Sequence, residues 1–316
     1  MKRQITRAYL VFAASLAVAQ SFFFATYQLF LDEKGISYLK MNLINAFFML
    51  GNFIFQVPTG AFADCYGRKK SINLGCFLLA TSFLGYYFSN FIWSFIALEI
   101  LGALGHSFIY GALNSWVIDE LNSADPHCNS KLIARGKSWH LIGVGLGSCL
   151  GGYLGRHDLA LPWLLAALAH LLLIPLFYFF MKETNFHVKK INFNWKELNL
   201  KKFFRSIFKK SGKGIRYSWD HKAIMQPLIF CAIASACFMG LNMQWQGFFK
   251  AKGLAVADMG LIFLGASMAV LLGTVLTRWW FKNRAPNLKI LFLSQGITAA
   301  GIILTTAHIG IVPIMF

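Results

Sequence analysis

Acidic residues are scarce in this 316-residue chain: twelve Asp and Glu stand against thirty Lys and Arg, and charged side chains make up only 13% of the total. A soluble domain carries about 25% charged residues, because its surface must be polar. The shortage excludes an ordinary water-soluble globule. Cysteine is sparse as well, six in all, and no two have zinc or redox-motif spacing. That excludes a disulfide scaffold and leaves free, reduced thiols as the default. There is no phosphate loop, no His-Glu-x-x-His, no nucleophile elbow and no metal-spaced cluster of His, Cys and Asp. The sequence therefore points to no enzyme chemistry, no metal site and no cofactor.

What fills the chain is apolar. Hydrophobic side chains make up 57%, with 32 Phe, nine Trp and ten Tyr, and the mean hydropathy is +0.56. These values describe an all-α, multi-pass membrane protein. The net charge of +18 would suggest nucleic acid in a soluble protein. Here the basic residues lie between apolar runs, so anionic lipid at the membrane face is the expected partner and nucleic acid is not.

A helix needs about 20 apolar residues to cross the bilayer core. Such runs occur at 8–31, 41–63, 71–90, 91–118, 132–155, 160–181, 224–249, 256–280 and 288–307, and a tenth begins at Ile309. With the N-terminus in the cytoplasm, 25 basic residues fall in inside segments and 5 in outside ones. That bias sets the orientation, and the plasma (inner) membrane is the expected location. The long polar stretch divides the chain into a six-span bundle at 1–181, a basic cytoplasmic linker at 182–222 and an incomplete bundle at 223–316. Within the linker Leu200, Phe203, Phe204, Ile207 and Phe208 share one helical face and Lys201, Lys202, Arg205 and Lys209 the other. The pattern predicts a helix on the inner leaflet, with a solvated linker as the alternative.

Between spans two and three stands Gly60-Ala61-Phe62-Ala63-Asp64-Cys65-Tyr66-Gly67-Arg68-Lys69-Lys70. A glycine, an aspartate four residues later and then Gly-Arg-Lys resemble the signature loop of the major facilitator superfamily (MFS), and the loop falls on the expected side. Gly60 would let span two pack closely, Gly67 would permit the tight turn, and Arg68 can fork onto a carboxylate. Cys65 stands where that family has a basic residue. Span four ends in Trp116-Val117-Ile118-Asp119, and the resemblance assigns Asp119 as partner to Arg68, with Arg135 opening span five nearby. In the family such charges latch the cytoplasmic side; simple solvation at a helix end is the alternative. Gly143, Gly147 and Gly151 recur every four residues on span five. They resemble the family's antiporter helix, except that Ser148 replaces a proline. Tight helix packing is the expected use of the stripe. Gly273 to Thr277 repeats the Gly60 to Asp64 spacing after span eight, with the acid lost.

Glu99 is the one acid well inside a span, and His106 lies seven residues on, on the same face. A carboxylate at that depth is paired, protonated or facing water. The two residues are candidates for a proton or cation site, or for a structural bond between helices. Gln20 and Gln28 on span one, Asn45, Asn52 and Gln56 on span two, and Asn242, Gln244 and Gln246 on span seven are candidate cavity residues, since the resemblance places these helices around a central cavity. Neutral amides with Trp and Phe suit a neutral or cationic small molecule. The resemblance implies a secondary active transporter of small organic molecules, coupled to protons and working by alternating access. It also implies twelve spans, so the chain reads as truncated within its second half. A non-transporting remnant or a membrane interaction protein is the second reading.

Overall fold

Apolar stretches of 20 residues or more leave their backbone amides no partner in lipid except one another, so they coil into helices. The computed structural model describes residues 2–121, 126–184 and 244–280, with scattered positions between 217 and 242. Its helices are α1 (Lys2–Ser21), α2 (Tyr27–Glu33), α3 (Tyr38–Tyr66), α4 (Arg68–Phe88), α5 (Ile92–Tyr110), α6 (Ala112–Leu121), α7 (Pro126–Gly155), α8 (Leu161–Phe180), α9 (Trp245–Ala251) and α10 (Val256–Trp280). No strand occurs among the described residues. Five helical segments are long and apolar enough to cross a membrane: Tyr38–Tyr66, Arg68–Phe88, Ile92–Leu121, Leu161–Phe180 and Val256–Leu276. The 196–210 helix and the 288–307 span expected from the sequence lie outside the described residues, as does all of span seven before its last turns, apart from scattered positions.

The expected first span is not one helix. It breaks at residues 22–26, which form turns between α1 and α2. Neither glycine nor proline marks the spot; the residues are Phe22-Phe23-Phe24-Ala25-Thr26. Tertiary contacts explain it. The Ser148 hydroxyl of α7 donates to the Ser21 carbonyl at 3.1 Å. From α9, the Gln246 amide donates to the Phe24 carbonyl at 2.7 Å and accepts from the Gln28 amide at 2.8 Å. Irregular backbone at membrane depth is tolerated where protein takes up the freed groups. Span four also divides, at Gly111, into α5 and α6.

Packing follows the small residues. The α1–α7 contact is built on the glycine stripe: an added Cβ at Gly143 would stand 2.5 Å from the Ala14 carbonyl, and one at Gly147 2.5 Å from that of Val18. At Gly151 it would run into the Phe22 carbonyl. The stripe thus serves close packing, as its spacing predicts. On the next face of α7, Gly152 meets Gly260 of α10, 2.6 Å from such a Cβ. This brings span five against span eight. Elsewhere α3 packs on α5, and α4 on both α5 and α8.

Candidate functional site

A cavity of about 310 Å³ lies between these helices. One side is lined by Gln20, Phe23, Phe24, Tyr27 and Gln28 from the interrupted span, by Asn45, Phe48 and Met49 of α3, and by Tyr86, Glu99, His106 and Trp163. Asn242, Trp245, Gln246 and Phe263 line the other. A second cavity, of about 560 Å³, shares Gln20, Phe24, Leu79 and His106 with the first and extends to Tyr9, Asn114, Lys137 and His140. The passage therefore runs from the aromatic chamber toward the Asp64 end of the helices. At the opposite end the Gln246 bonds and the ion pair of Lys250 with Asp32 at 3.4 Å join α9 to the first span.

Glu99 is buried, and its Oε1 accepts from the Tyr86 hydroxyl at 2.6 Å and the Tyr27 hydroxyl at 3.2 Å. Trp163 holds Tyr86 in place. Its indole is sandwiched between Tyr86 (centroids 4.0 Å apart, planes 6° apart) and Phe23 (4.0 Å, 10°). His106 does not bond Glu99; its Nδ1 lies 2.9 Å from Asn52 Oδ1, which also accepts from the Ser107 hydroxyl at 3.3 Å. Of the sequence candidates, Glu99, His106, Gln20, Gln28, Asn45 and Asn242 border the chamber. Asn52 serves His106 from behind it. Gln56 lies in a separate depression with Gly60, Asp64 and Arg68. Tyr27, Tyr86, Trp163 and Gln246 complete the site. The sequence singles out only Gln246 of these, as one amide among several on span seven.

At the Asp64 end, Gly67 takes φ +104°, which a side chain would strain, and turns α3 into α4. This places Arg68 Nη1 2.5 Å from Asp64 Oδ1. Arg68 Nε lies 3.5 Å from Asp119 Oδ2, an ion contact without hydrogen-bond geometry. Arg68 thus stands between the two aspartates, one of which, Asp119, the resemblance assigns to it. Arg135 is exposed on α7. Gly60 differs from expectation, because among the described residues nothing stands within 4 Å of an added Cβ there. Glu183, just past α8, supplies an unforeseen contact. Its Oε1 accepts from the backbone amides of Arg68 at 2.5 Å and Lys69 at 3.1 Å, capping α4. Nearby, Trp116 Nε1 donates to the Lys182 carbonyl at 2.8 Å, and Glu120 accepts from the Thr184 amide at 2.7 Å and its hydroxyl at 2.5 Å. The segment leaving α8 is thus strapped to the ends of α4 and α6.

Known proteins share both sequence and architecture with this chain. A profile described as the Major Facilitator Superfamily matches residues 9–316. YxaM of Bacillus subtilis (strain 168), an uncharacterized MFS-type transporter, is 27% identical over 301 residues, which is 90% of this chain and 69% of that protein. The nucleoside transporter NupG superposes with a TM-score of 0.68 at 11% identity, over 89% of this chain and 69% of NupG. A D-xylose–proton symporter does so with a TM-score of 0.63 at 17% identity, over 99% of this chain and 76% of the symporter. The signature loop at the junction of α3 and α4 and a profile match across nearly the whole chain make this a multi-pass membrane transporter that belongs to the Major Facilitator Superfamily.

Proposed function

We propose that the chain carries out secondary active transport of small organic molecules, neutral or cationic, coupled to protons and working by alternating access. The observation that carries this reading is the chamber itself. It is bordered by residues of 1–181 on one side and of 223–316 on the other, so relative motion of the two bundles would change which end of the passage is open. In this reading residues 182–222 are the cytoplasmic linker. Gly60, Asp64, Gly67, Arg68, Asp119 and Arg135 form the cytoplasmic gate, with Gln56 beside it, and Glu99, His106, Gln20, Gln28 and Asn242 form the substrate and proton region, with Asn52 supporting His106. The basic inner segments meet anionic lipid in the plasma (inner) membrane. The proton-coupled symport named for one structural relative agrees with a buried carboxylate, but a shared fold does not transfer a substrate.

The test is an uptake and efflux screen of neutral and cationic compounds in vesicles carrying the full chain. At least one compound is expected to accumulate, and an ionophore that collapses the pH gradient is expected to abolish that accumulation. Accumulation indifferent to the gradient would remove proton coupling. No movement of any compound through correctly folded protein would favour the non-transporting reading. Orientation has its own check: a cysteine at position 252, on a cysteine-free background, is expected to react with an impermeant reagent added outside intact cells. Reaction only after permeabilisation would reverse the topology drawn from the 25 to 5 split of basic residues.

A further inference from the structure

Among the described residues Glu99 is the one carboxylate that lines the aromatic chamber, and no Lys or Arg lines it. Among the described residues no salt bridge reaches Glu99. Its partners are two phenol hydroxyls converging on a single oxygen, Oε1. Donors of that kind orient a carboxylate and satisfy its lone pairs, but they do not cancel its charge. A carboxylate at that depth is paired, protonated or facing water, and in its charged form a cation in the chamber would be its pair. The surroundings here are rings: Phe23, Phe24, Tyr27, Phe48, Phe83, Tyr86, Trp163, Trp245 and Phe263 border the same space. Aromatic walls attract cations through their ring quadrupoles and repel anions. Gln28 adds a polar anchor, since its Nε2 is buried without a hydrogen-bond partner among the described residues and can donate to a ligand.

We infer that the chamber is a site for small organic cations: an ammonium group seated against Glu99, with its apolar frame among the rings and a hydrogen-bond acceptor for Gln28. The inference rests on the transport reading of the cavity and narrows its substrate from neutral or cationic to cationic. The Phe23–Trp163–Tyr86 stack is a positioning element. Both faces of Trp163 are already covered by rings, so the indole fixes Tyr86, and Tyr86 fixes Glu99.

The test compares two ligands of one shape. The probe 3-hydroxyphenyltrimethylammonium and its uncharged isostere 3-tert-butylphenol differ by a quaternary nitrogen in place of a carbon. Equilibrium dialysis against the purified full chain is expected to show the cation bound about tenfold or more tighter than the isostere. Glu99→Gln is expected to remove most of that preference, weakening the cation severalfold more than the isostere and leaving only the share that the rings supply. Tyr27→Phe, which removes one donor from Oε1, is expected to reduce it only in part. Equal binding of cation and isostere by the unaltered protein overturns the inference, and that comparison needs no variant to fold. A cation preference undiminished by Glu99→Gln overturns the assignment to Glu99. The two readings fail separately. Cation-selective binding without movement across vesicles would fault transport alone, and transport of neutral compounds without cation preference would fault this inference alone.

Discussion

Gly151→Val is expected to leave little folded protein, while Gly265→Ala is expected to be neutral or slightly stabilising. Alanine in a helix interior is favoured over glycine by about 1 kcal/mol, so any Gly→Ala change starts with that gain. At Gly265 nothing among the described residues stands within 4 Å of an added Cβ, and the gain is realised. At Gly151 the added atom meets the backbone carbonyl of Phe22, which has no rotamer with which to yield. Overpacking even a side-chain neighbour costs about 1–3 kcal/mol, and a branched residue against backbone costs more. The strain also falls on the turn at 22–26 that carries Phe23 and Phe24 into the chamber. Gly151→Ala is therefore expected to lower the melting temperature in detergent, and Gly151→Val to move the protein to the void volume in size exclusion. A Gly151→Val protein that melts like the unaltered chain would show that α1 and α7 do not pack in this way.

Arg68→Ala is expected to loosen the cytoplasmic gate more than Asp119→Ala does, and the double variant is expected to be no worse than Arg68→Ala alone. Arg68 is the hub: its side chain is 15% exposed and it reaches both aspartates. Removing it breaks both contacts at once. Removing Asp119, which is 48% exposed and 3.5 Å away, breaks a contact that solvent screens, worth at most about 1 kcal/mol. Removing Asp64, closer and less exposed, falls between. Residues that act as a unit give non-additive effects in a double-mutant cycle. The readout is the labelling rate of a cysteine placed at Lys137, on the passage toward this end. Arg68→Ala is expected to raise it severalfold. Effects of Arg68→Ala and Asp119→Ala that add fully in the double variant would show independent residues and end the gate assignment.

Local features were the legible ones. Spans two to six and span eight could be placed because 20-residue apolar runs have few alternatives in lipid, and their helices begin and end within a few residues of expectation, except for α7, which starts six residues early. The Gly67 turn, the i,i+4 pair of Asp64 with Arg68 and the packing role of the span-five glycines also follow from short spacings, whereas Asp119 lies 51 positions from Arg68 and only the family resemblance points to it. The interruption of span one was hidden because its causes, Ser148 and Gln246, lie more than 120 and 220 residues away in sequence from the carbonyls they meet. Glu99 could be seen as costly, yet its partners Tyr27 and Tyr86 carry no mark that separates them from eight other tyrosines. His106 shares a helix face with Glu99, but Asn52 from α3 claims its ring. Glu183 meets the signature loop across 115 positions, and no periodicity links the two.

Gln246 ties α9 to the first span by taking up a carbonyl and an amide that the interrupted helix leaves bare. Drawing α9 away strips both groups at once. In hydrocarbon each would cost several kcal/mol, and the only substitute able to reach them is water. If the chain works by alternating access as proposed, opening that end is a hydration event as well as a hinge motion. A dry seal at Phe24 and Gln28 gives way to a wetted crevice, and the solvent's own free energy becomes one of the terms that sets how long the door stays shut.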